Sequence, residues 1–450
     1  MDGNFKEKAL EYHARDRAGK TATIATKPCC NPEELSLAYT PGVAEPAMEI
    51  NKERWKAYRY TNKGNLVAVI SNGSSVLGLG NIGALASKPV MEGKAMLFKM
   101  YADIDAFDIE IGEEEPQKFI TAVQSLAPTF GGINLEDIKA PECFIIEEKL
   151  RNLLDIPVLH DDQHGTAVTV CAALLNACEV ADKKLKNARI VICGAGAAAI
   201  STARMLCSMG IEKEQIVMTD SKGVISKERK DLNIYKAEFA TGEKAGTLSE
   251  AMRGADIFIG LSRGNLLGDN DIAAMKEHAI IFALANPTPE IEYRHAKELR
   301  PDAIVATGRS DSPNQINNLL AFPYLFRGTL DTLSATINEH MMIAAAEAIA
   351  SVAKDDATGE IEEEYGTELH FGKDYILPKP GDSRLLCAVS AAVARAAMES
   401  GVARRRIASF KEYCGILASR IEDGNCFYSD NIRHKGDHIH NNRRQRLQRF

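Results

Sequence analysis

The sequence lacks any apolar run long enough to cross a membrane, and its first twenty residues alternate charges without the apolar stretch of a secretory signal. It also lacks an excess of positive charge. The formal net charge is −8 at pH 7, which opposes general attraction to the phosphates of nucleic acids. We therefore expect a cytoplasmic protein that binds neither membranes nor nucleic acids.

No C-x-x-C pair occurs among the ten scattered cysteines. Several of them, including Cys171 and Cys193, lie in apolar stretches where a thiol behaves as a small hydrophobic core group. This pattern predicts a reducing environment and a structural role for all ten.

The 450 residues are too many for one compact core and predict two or three domains. Residues 1–160 mix short apolar runs with turns rich in proline and glycine, which is typical of an α/β domain. From residue 161 onward, apolar runs alternate with helical patterns: RIVICG, QIVMTD, ADIFIGLS, AIIFALANP and AIVATG. This alternation predicts a doubly wound parallel sheet of the Rossmann type.

The carboxy-terminal part contains two stretches of helical composition, TLSATINEHMMIAAAEAIASVAK and LLCAVSAAVARAAMESG, separated by an acidic, turn-rich stretch. We expect these helices to close over the second sheet, so that the second domain covers residues 161–405. Residues 406–450 form an extension, whose basic and polar end predicts disorder.

A G-x-G-x-x-A motif follows the apolar run of residues 189–192 and precedes a helical pattern. The glycines allow a tight turn and close approach of a pyrophosphate, which the following helix amino terminus stabilises. The predicted cofactor-binding residues here are Gly194, Ala195, Gly196, Ala197, Ala198 and Ala199. A second match, at residues 78–83, lacks the surrounding strand–helix unit, and we interpret it as a backbone turn lining a cleft.

Asp220 ends the next apolar run, where a carboxylate can accept hydrogen bonds from the adenosine ribose. Alone it favours NAD, because a carboxylate repels the 2′-phosphate of NADP. Ser221 and Lys222 follow it, and Lys227, Arg229 and Lys230 come soon after, so that this segment can also neutralise a phosphate. The sequence leaves the choice between NAD and NADP open.

Two acidic pairs suggest a metal site. Asp161 and Asp162 stand before the apolar stretch AVTVCAALLNA, and Glu136 and Asp137 lie in the segment NLEDIKAPE. Oxygen atoms converging from two loops suit Mg²⁺ or Mn²⁺. Helix capping by the first pair is an equally good interpretation. Zinc ligation by the flanking histidines is disfavoured, since no cysteine ligand or H-E-x-x-H motif lies beside them.

Lys94 lies in KPVMEGKAMLFKMY, which we interpret as a helical segment entered through Pro89. A lysine acts as a general base only when a metal ion or partial burial lowers its pKa towards neutrality. Lys99, five positions further on, would face elsewhere. Without other context, both would be solvated lysines.

Together these segments resemble the shorter, bacterial-type members of the malic enzyme family over roughly residues 8–415. The matching motifs, in the family's order, are SLAYTPGVAEP, NGSSVLGLGNIG, PVMEGKAMLFK, NLEDIKAPECF, HDDQHGTA, ICGAGAAA, ANPTPE and GRSDSPNQINN. The resemblance implies a malic enzyme domain followed by an NAD(P)-binding domain. It also implies oxidative decarboxylation of L-malate to pyruvate, with a divalent metal, in a homodimer or higher homo-oligomer.

The resemblance also implies roles for individual residues. Tyr39 would protonate the enol carbon, and Lys94 would accept the proton of the malate hydroxyl with support from Asp161. Glu136, Asp137 and Asp162 would hold the metal. Asn286 and Asn317 would contact the substrate or the nicotinamide end of the cofactor.

Two departures from the family pattern qualify these expectations. Ser74 and Ser75 stand where larger relatives place an arginine, so a malate carboxylate needs another partner. The segment beginning PKPGDSRLLC resembles the stretch that leads, in hybrid members, into a phosphotransacetylase-like domain, and no counterpart of that domain follows here. We do not expect the acetyl-CoA regulation that this domain is thought to mediate.

Two alternative functions remain open from the sequence. An amino-acid dehydrogenase also combines a lysine in a first domain with a later dinucleotide fold, but it needs no metal. A catalytically inactive relative, serving as a binding or regulatory subunit, is the other alternative.

Overall fold

A computed structural model describes residues 3–14, 18–242, 246–355, 357 and 359–420. The chain forms two sheets that are covered by helices. Four parallel strands make the first sheet, in the order β2-β1-β3-β4: β1 Leu66–Ser71, β2 Asp105–Glu110, β3 Gly132–Leu135 and β4 Val158–His160. All of β1 is buried, as expected for a central parallel strand with helices on both faces.

The second sheet has the order β10-β9-β8-β5-β6-β7. Its strands are β5 Ile190–Cys193, β6 Ile216–Asp220, β7 Gly223–Val224, β8 Ile257–Gly260, β9 Ile280–Ala283 and β10 Ile304–Thr307. All five apolar runs predicted as strands are confirmed. The short β7, which pairs antiparallel with β6, is the one departure from a parallel sheet among the described residues.

Seven helices precede or connect the strands of the first sheet: α1 Gly3–Ala14, α2 Pro32–Ala38, α3 Ala44–Lys52, α4 Ala57–Tyr60, α5 Ala84–Ala102, α6 Pro116–Leu126 and α7 Glu142–Leu153. Helix α5 begins at Ala84, so Pro89 lies inside it and does not mark its start. Helices α2 and α3 contain no buried residue, unlike α5, α6 and α7.

Among the described residues, the helices that follow include α8 Asp161–Val180, α9 Ala197–Ser208, α10 Ile234–Ala237, α11 Leu248–Met252, α12 Asp269–Ala273, α13 Tyr293–Leu299, α14 Phe322–Asp331, α15 Glu339–Val352, α16 Gly359–Tyr365 and α17 Arg384–Glu399. The predicted helix in TLSATINEHMM begins only at α15, because the Asn338 side chain accepts a hydrogen bond from the Met341 backbone and caps it. The acidic stretch predicted as turns contains α16.

The carboxy-terminal helices also pack on the first sheet. Phe98 of α5 makes edge-to-face contacts with Phe322 and Phe326 of α14. Arg327 of α14 donates hydrogen bonds to the Asn65 side chain and to the Ala102 carbonyl. One hydrophobic cluster contains buried residues of both sheets, such as Ile70 of β1 and Ile192 of β5, and a second cluster packs against the second sheet alone.

Residues 410–420 are helical, and Cys414 in this segment forms a disulfide with Cys387 of α17. This disulfide departs from the reducing environment that the sequence predicts, although it agrees with a structural role for the two cysteines. Disorder is predicted for the basic tail NIRHKGDHIHNNRRQRLQRF, residues 431–450, and these lie outside the described residues. Among the residues that are described, no helix combines the length and apolar character needed to cross a bilayer.

Candidate active site

The register of the first sheet brings the two acidic segments together. Strands β3 and β4 are parallel neighbours, and Leu135 pairs with His160. The next residues, Glu136 and Asp161, therefore leave the same edge of the sheet side by side. Ligand sites of open parallel sheets form at this carboxyl edge.

The three carboxylates predicted as metal ligands converge at this edge. Glu136, Asp137 and Asp162 each offer an oxygen atom, and these atoms lie within 4.8 Å of one another. The Asp137 backbone N–H also donates to the Asp162 carboxylate at 2.8 Å, and Asn134 donates to Glu136 at 2.8 Å. Helix α8 begins at Asp161, and its N-cap, His160, makes no side-chain capping bond, so the capping interpretation of the acidic pair is not supported.

The charge of this cluster fits a hard divalent cation. Burial raises the pKa of Glu136 well above its ordinary value, and the carboxylates of Asp161, Asp162 and Asp137 add to that effect against the opposing charge of Lys94. Four carboxyl groups thus share one ammonium group, and Mg²⁺ or Mn²⁺ would balance the excess.

Lys94 projects from α5 into the same cluster. Its Nζ lies 2.6 Å from Asp161 Oδ2 and 3.2 Å from Glu136 Oε1, and 4.1 Å from the centre of the Phe322 ring. Burial works against the charged amine, but the carboxylates of Asp161 and Glu136 outweigh it and raise the pKa of Lys94 above its ordinary value. A general base needs the opposite shift, which a divalent cation held by Glu136, Asp137 and Asp162 would supply by offsetting the carboxylate charge around the amine. Lys99, by contrast, pairs with Asp103 and Asp105.

Two residues that sequence reasoning did not single out support Asp161. Asn318 donates to Asp161 Oδ2 at 2.5 Å. A Cβ built on Gly165 would lie 1.9 Å from Asp161 Oδ1, so only glycine allows α8 to carry Asp161 in this orientation. Both lie in the quoted motifs, HDDQHGTA and QINN, but the sequence contains no signal for their contact with each other.

We expect Gly165→Ala to lower kcat by about 100-fold, because the added methyl group displaces Asp161 and a displacement of about 1 Å has effects of this size. Steady-state kinetics with saturating cofactor measure this effect. The matched control is Gly112→Ala, since a Cβ at Gly112 meets no atom within 4 Å. A wild-type kcat in Gly165→Ala would contradict the proposed position of Asp161.

The predicted cofactor loop lies at the carboxyl edge of the second sheet. Gly194 and Ala195 follow β5, Gly196 is the N-cap of α9, and Ala197, Ala198 and Ala199 form the first turn of that helix. A cleft of about 940 Å³ runs from this loop to Asp220 at the end of β6, and Lys222 and Lys236 also line it. The loop, helix terminus and acidic strand end thus have the arrangement expected for a dinucleotide site.

Asp220 is surrounded by cations. Arg229 contacts both of its carboxylate oxygens at 2.7 and 3.0 Å, and the Lys236 Nζ lies 2.7 Å away. Partial burial raises the pKa of Asp220, but the hydrogen bonds from Arg229 and Lys236 outweigh it and lower that pKa to about 2. Asp231 contacts Arg229 and Lys222.

The two predicted asparagines occupy different settings. Asn286 follows β9 and lies against the second glycine motif, since a Cβ on Gly78 would come within 2.5 Å of the Asn286 backbone oxygen. That motif therefore packs on the loop carrying Asn286. The Asn317 side chain accepts a hydrogen bond from the Leu319 backbone at 2.9 Å. Its neighbour Asn318 is the one that contacts Asp161.

Tyr39 stands apart from this cluster. It follows α2 as its C-cap and is 69% exposed, whereas Lys94 is buried. The structure brings Lys94, Asp161, Glu136, Asp137 and Asp162 together, but it shows no hydrogen bond from the Tyr39 phenol to any of them within the described part of the chain.

Comparison with known proteins decides the family. The family model for the malic enzyme N-terminal domain matches residues 18–151, and the model for the malic enzyme NAD-binding domain matches residues 163–363. The chain belongs to the malic enzyme family. A crystal structure of malic enzyme from Pyrococcus horikoshii superposes with a TM-score of 0.86 at 44% identity, covering 95% of this chain and 97% of that one.

Two curated relatives differ in the cofactor that their names give. The NADP-dependent malic enzyme of Halomonas elongata is 53% identical, covering 89% of this chain and 95% of the relative. The NAD-dependent malic enzyme of Rhizobium meliloti is 49% identical, covering 91% of this chain and 54% of the relative. The chain spans about half the length of the first curated relatives that it matches, 55–57% of each.

Proposed function

We propose that this chain oxidises and decarboxylates L-malate to pyruvate and CO₂, reducing NADP in a reaction that requires Mg²⁺ or Mn²⁺. The observation that carries the proposal is the cluster of Glu136, Asp137 and Asp162 around Lys94, in a chain whose second sheet carries a dinucleotide loop. The matches to malic enzymes along almost the whole chain support the same reaction.

Each residue of the site has a separate role in the proposed reaction. Glu136, Asp137 and Asp162 would hold a divalent cation, which would supply positive charge to polarise the C2 oxygen of malate and to stabilise the negative charge left when CO₂ departs. Lys94 takes the proton of the C2 hydroxyl while the C2 hydride passes to the nicotinamide, and Asp161 and Asn318 orient that amine. Tyr39 then donates its phenol proton to C3 of the enolate that remains when CO₂ departs, which gives pyruvate.

A single absorbance assay tests the reaction. Purified protein with L-malate, Mn²⁺ and NADP should produce the absorbance of reduced nicotinamide, and chelator should abolish it. Activity that survives in chelator would instead favour a metal-independent amino-acid dehydrogenase. Nucleotide binding without any reduction would favour a catalytically inactive relative that serves as a binding or regulatory subunit.

The preference for NADP rests on the cations around Asp220. Arg229 and Lys236 already engage both oxygens of this carboxylate, so it is poorly placed to select an unphosphorylated ribose. Lys222, 67% exposed, lines the cleft beside it. Three cations face the two carboxylates of Asp220 and Asp231, a net positive charge that suits a 2′-phosphate.

We expect Lys222→Ala to raise the KM for NADP about tenfold, because one charged hydrogen bond to the 2′-phosphate is worth roughly 1.5 kcal/mol or more. The KM for NAD should not change. Lys213→Ala is the matched control, since Lys213 is a half-exposed lysine that precedes the opposite end of β6. Equal changes in the KM for both cofactors would contradict the proposed 2′-phosphate contact.

The position of Tyr39 supports a homodimer in which each active site receives this residue from the other subunit. Helices α2 and α3 contain no buried residue, and they expose apolar side chains such as Leu37, which is 70% exposed, and Met48. Large exposed apolar surfaces of this kind mark interaction sites. A second copy of this chain would cover the exposed helices α2 and α3. Its Tyr39 would also supply the phenol that is missing beside Lys94.

Complementation between two inactive variants tests this arrangement. Tyr39→Phe and Lys94→Ala chains, co-expressed with different tags, should give about a quarter of wild-type activity. Half of the dimers are then mixed, and each mixed dimer has one intact site of two. If Tyr39 acts within its own chain, every site keeps one defect and activity stays at the level of the single variants, which would contradict the proposal.

A further inference from the structure

A buried glutamate in helix α7 is used by none of the steps above. Glu147 lies in α7 and is 5% exposed. Its carboxylate accepts hydrogen bonds from the His160 backbone at 3.1 Å, from the Gln163 side chain at 3.0 Å and from the His164 ring, whose Nε2 lies 2.9 Å from Oε1. Three donors on one carboxylate make a fully engaged buried group.

These three partners surround the metal-binding aspartate in the sequence. His160 ends β4, and Gln163 and His164 lie in the first turn of α8. Asp161 and Asp162 lie between these residues in the chain. Glu147 therefore binds residues on both sides of the two aspartates. Helix α7 itself begins at residue 142, soon after Glu136 and Asp137 leave β3. Glu147 is thus a direct link between the two segments that supply the metal ligands.

We propose that Glu147 is a positioning residue that sets the affinity of the site for its divalent cation. It acts by holding residues 160–164 so that Asp162 faces Glu136 and Asp137, and it touches neither the metal ligands nor the substrate. This inference rests on the proposed metal-dependent function and deepens it.

The negative charge of Glu147 is essential to this role. Burial raises the pKa of the carboxyl group, but the His164 ring outweighs that effect and holds the pKa below its ordinary value. The group therefore stays an acceptor for every partner. A glutamine would direct its amide hydrogens at the donors of Gln163 or His164, which would break one of these contacts and release the turn.

The test measures Mn²⁺ binding directly, by electron paramagnetic resonance of free Mn²⁺ in titrations of the full chain without substrate. We expect Glu147→Gln to raise the dissociation constant for Mn²⁺ by about 10–100-fold, as is usual when a residue that orients metal ligands is lost. The dissociation constant for NADP and the melting temperature without metal should stay close to the wild-type values. Glu148→Gln, one position along on the exposed side of α7, is the matched control and should bind Mn²⁺ normally.

The outcomes separate this inference from the proposed function. If the wild-type chain and Asp162→Ala both fail to bind Mn²⁺, the metal site itself is wrong. If the wild-type chain binds and Glu147→Gln binds equally well, the role of Glu147 is wrong. A parallel loss of Mn²⁺ binding, NADP binding and melting temperature would show a merely structural role and also overturn it. If Glu147→Gln does not fold, Gln163→Met removes one of the three contacts to Glu147, together with the hydrogen bond that Ser201 donates to Gln163, and an unchanged Mn²⁺ affinity there would overturn the inference.

Discussion

Replacing Lys94 with alanine is expected to lower kcat by about 10²–10⁴-fold, the usual contribution of a general base. The amine lies 2.6 Å from Asp161, and no other lysine among the described residues contacts this cluster. NADP binding should be retained, because the nucleotide loop lies on the other sheet. Stopped-flow measurement of hydride transfer gives the rate, and fluorescence titration of NADP gives the affinity.

The matched control for Lys94→Ala is Lys99→Ala, on the same helix. Lys99 forms ion pairs with Asp103 and Asp105 away from the cluster, so its loss should leave kcat unchanged. Small primary amines should partly restore the activity of Lys94→Ala, which a role in folding alone does not predict. A Lys94→Ala enzyme with wild-type kcat would exclude Lys94 as the base.

Replacing Asp162 with alanine is expected to lower kcat/KM by roughly 10²–10³-fold, since a bound cation contributes several kcal/mol of charge stabilisation. The change removes one of the three carboxylates that we propose as metal ligands, and with it the acceptor of the Asp137 backbone N–H. Higher Mn²⁺ concentrations should recover part of the activity, while NADP binding stays intact. Titration of activity with Mn²⁺ measures both effects.

Asp269→Ala is the control for the Asp162 variant. Asp269 lies in α12, and within the described part of the chain its side chain forms a hydrogen bond with His295 and none with the acidic cluster. Its Mn²⁺ dependence should match the wild type. Asp162→Ala with an unchanged Mn²⁺ requirement would show that the cation binds elsewhere.

The sequence predicted the strands of the second sheet better than it predicted the contacts between distant residues. Five β-branched runs between turns became β5, β6, β8, β9 and β10, because buried parallel strands leave a simple apolar pattern. It also singled out Glu136, Asp137, Asp161 and Asp162, which the fold brings close together. It could not show that Leu135 pairs with His160, and that register is what brings Glu136 beside Asp161.

The features that sequence reasoning missed depend on long-range packing. Asn318 reaches Asp161 across 157 positions of chain, and Glu147 lies within a helix whose composition gives no hint of function. The pairing of Cys387 with Cys414 and the exposure of Tyr39 are likewise properties of the folded chain. Local pattern fixes which face of an element is buried, but not which distant side chain it meets.

The central claim is that Glu136, Asp137 and Asp162 jointly hold one divalent cation beside Lys94. Anomalous diffraction at the manganese edge, from crystals of this protein soaked in Mn²⁺, tests it directly. The account predicts one strong peak within bonding distance of oxygens from all three carboxylates. A peak bound elsewhere, with these three side chains turned away from one another, would contradict it.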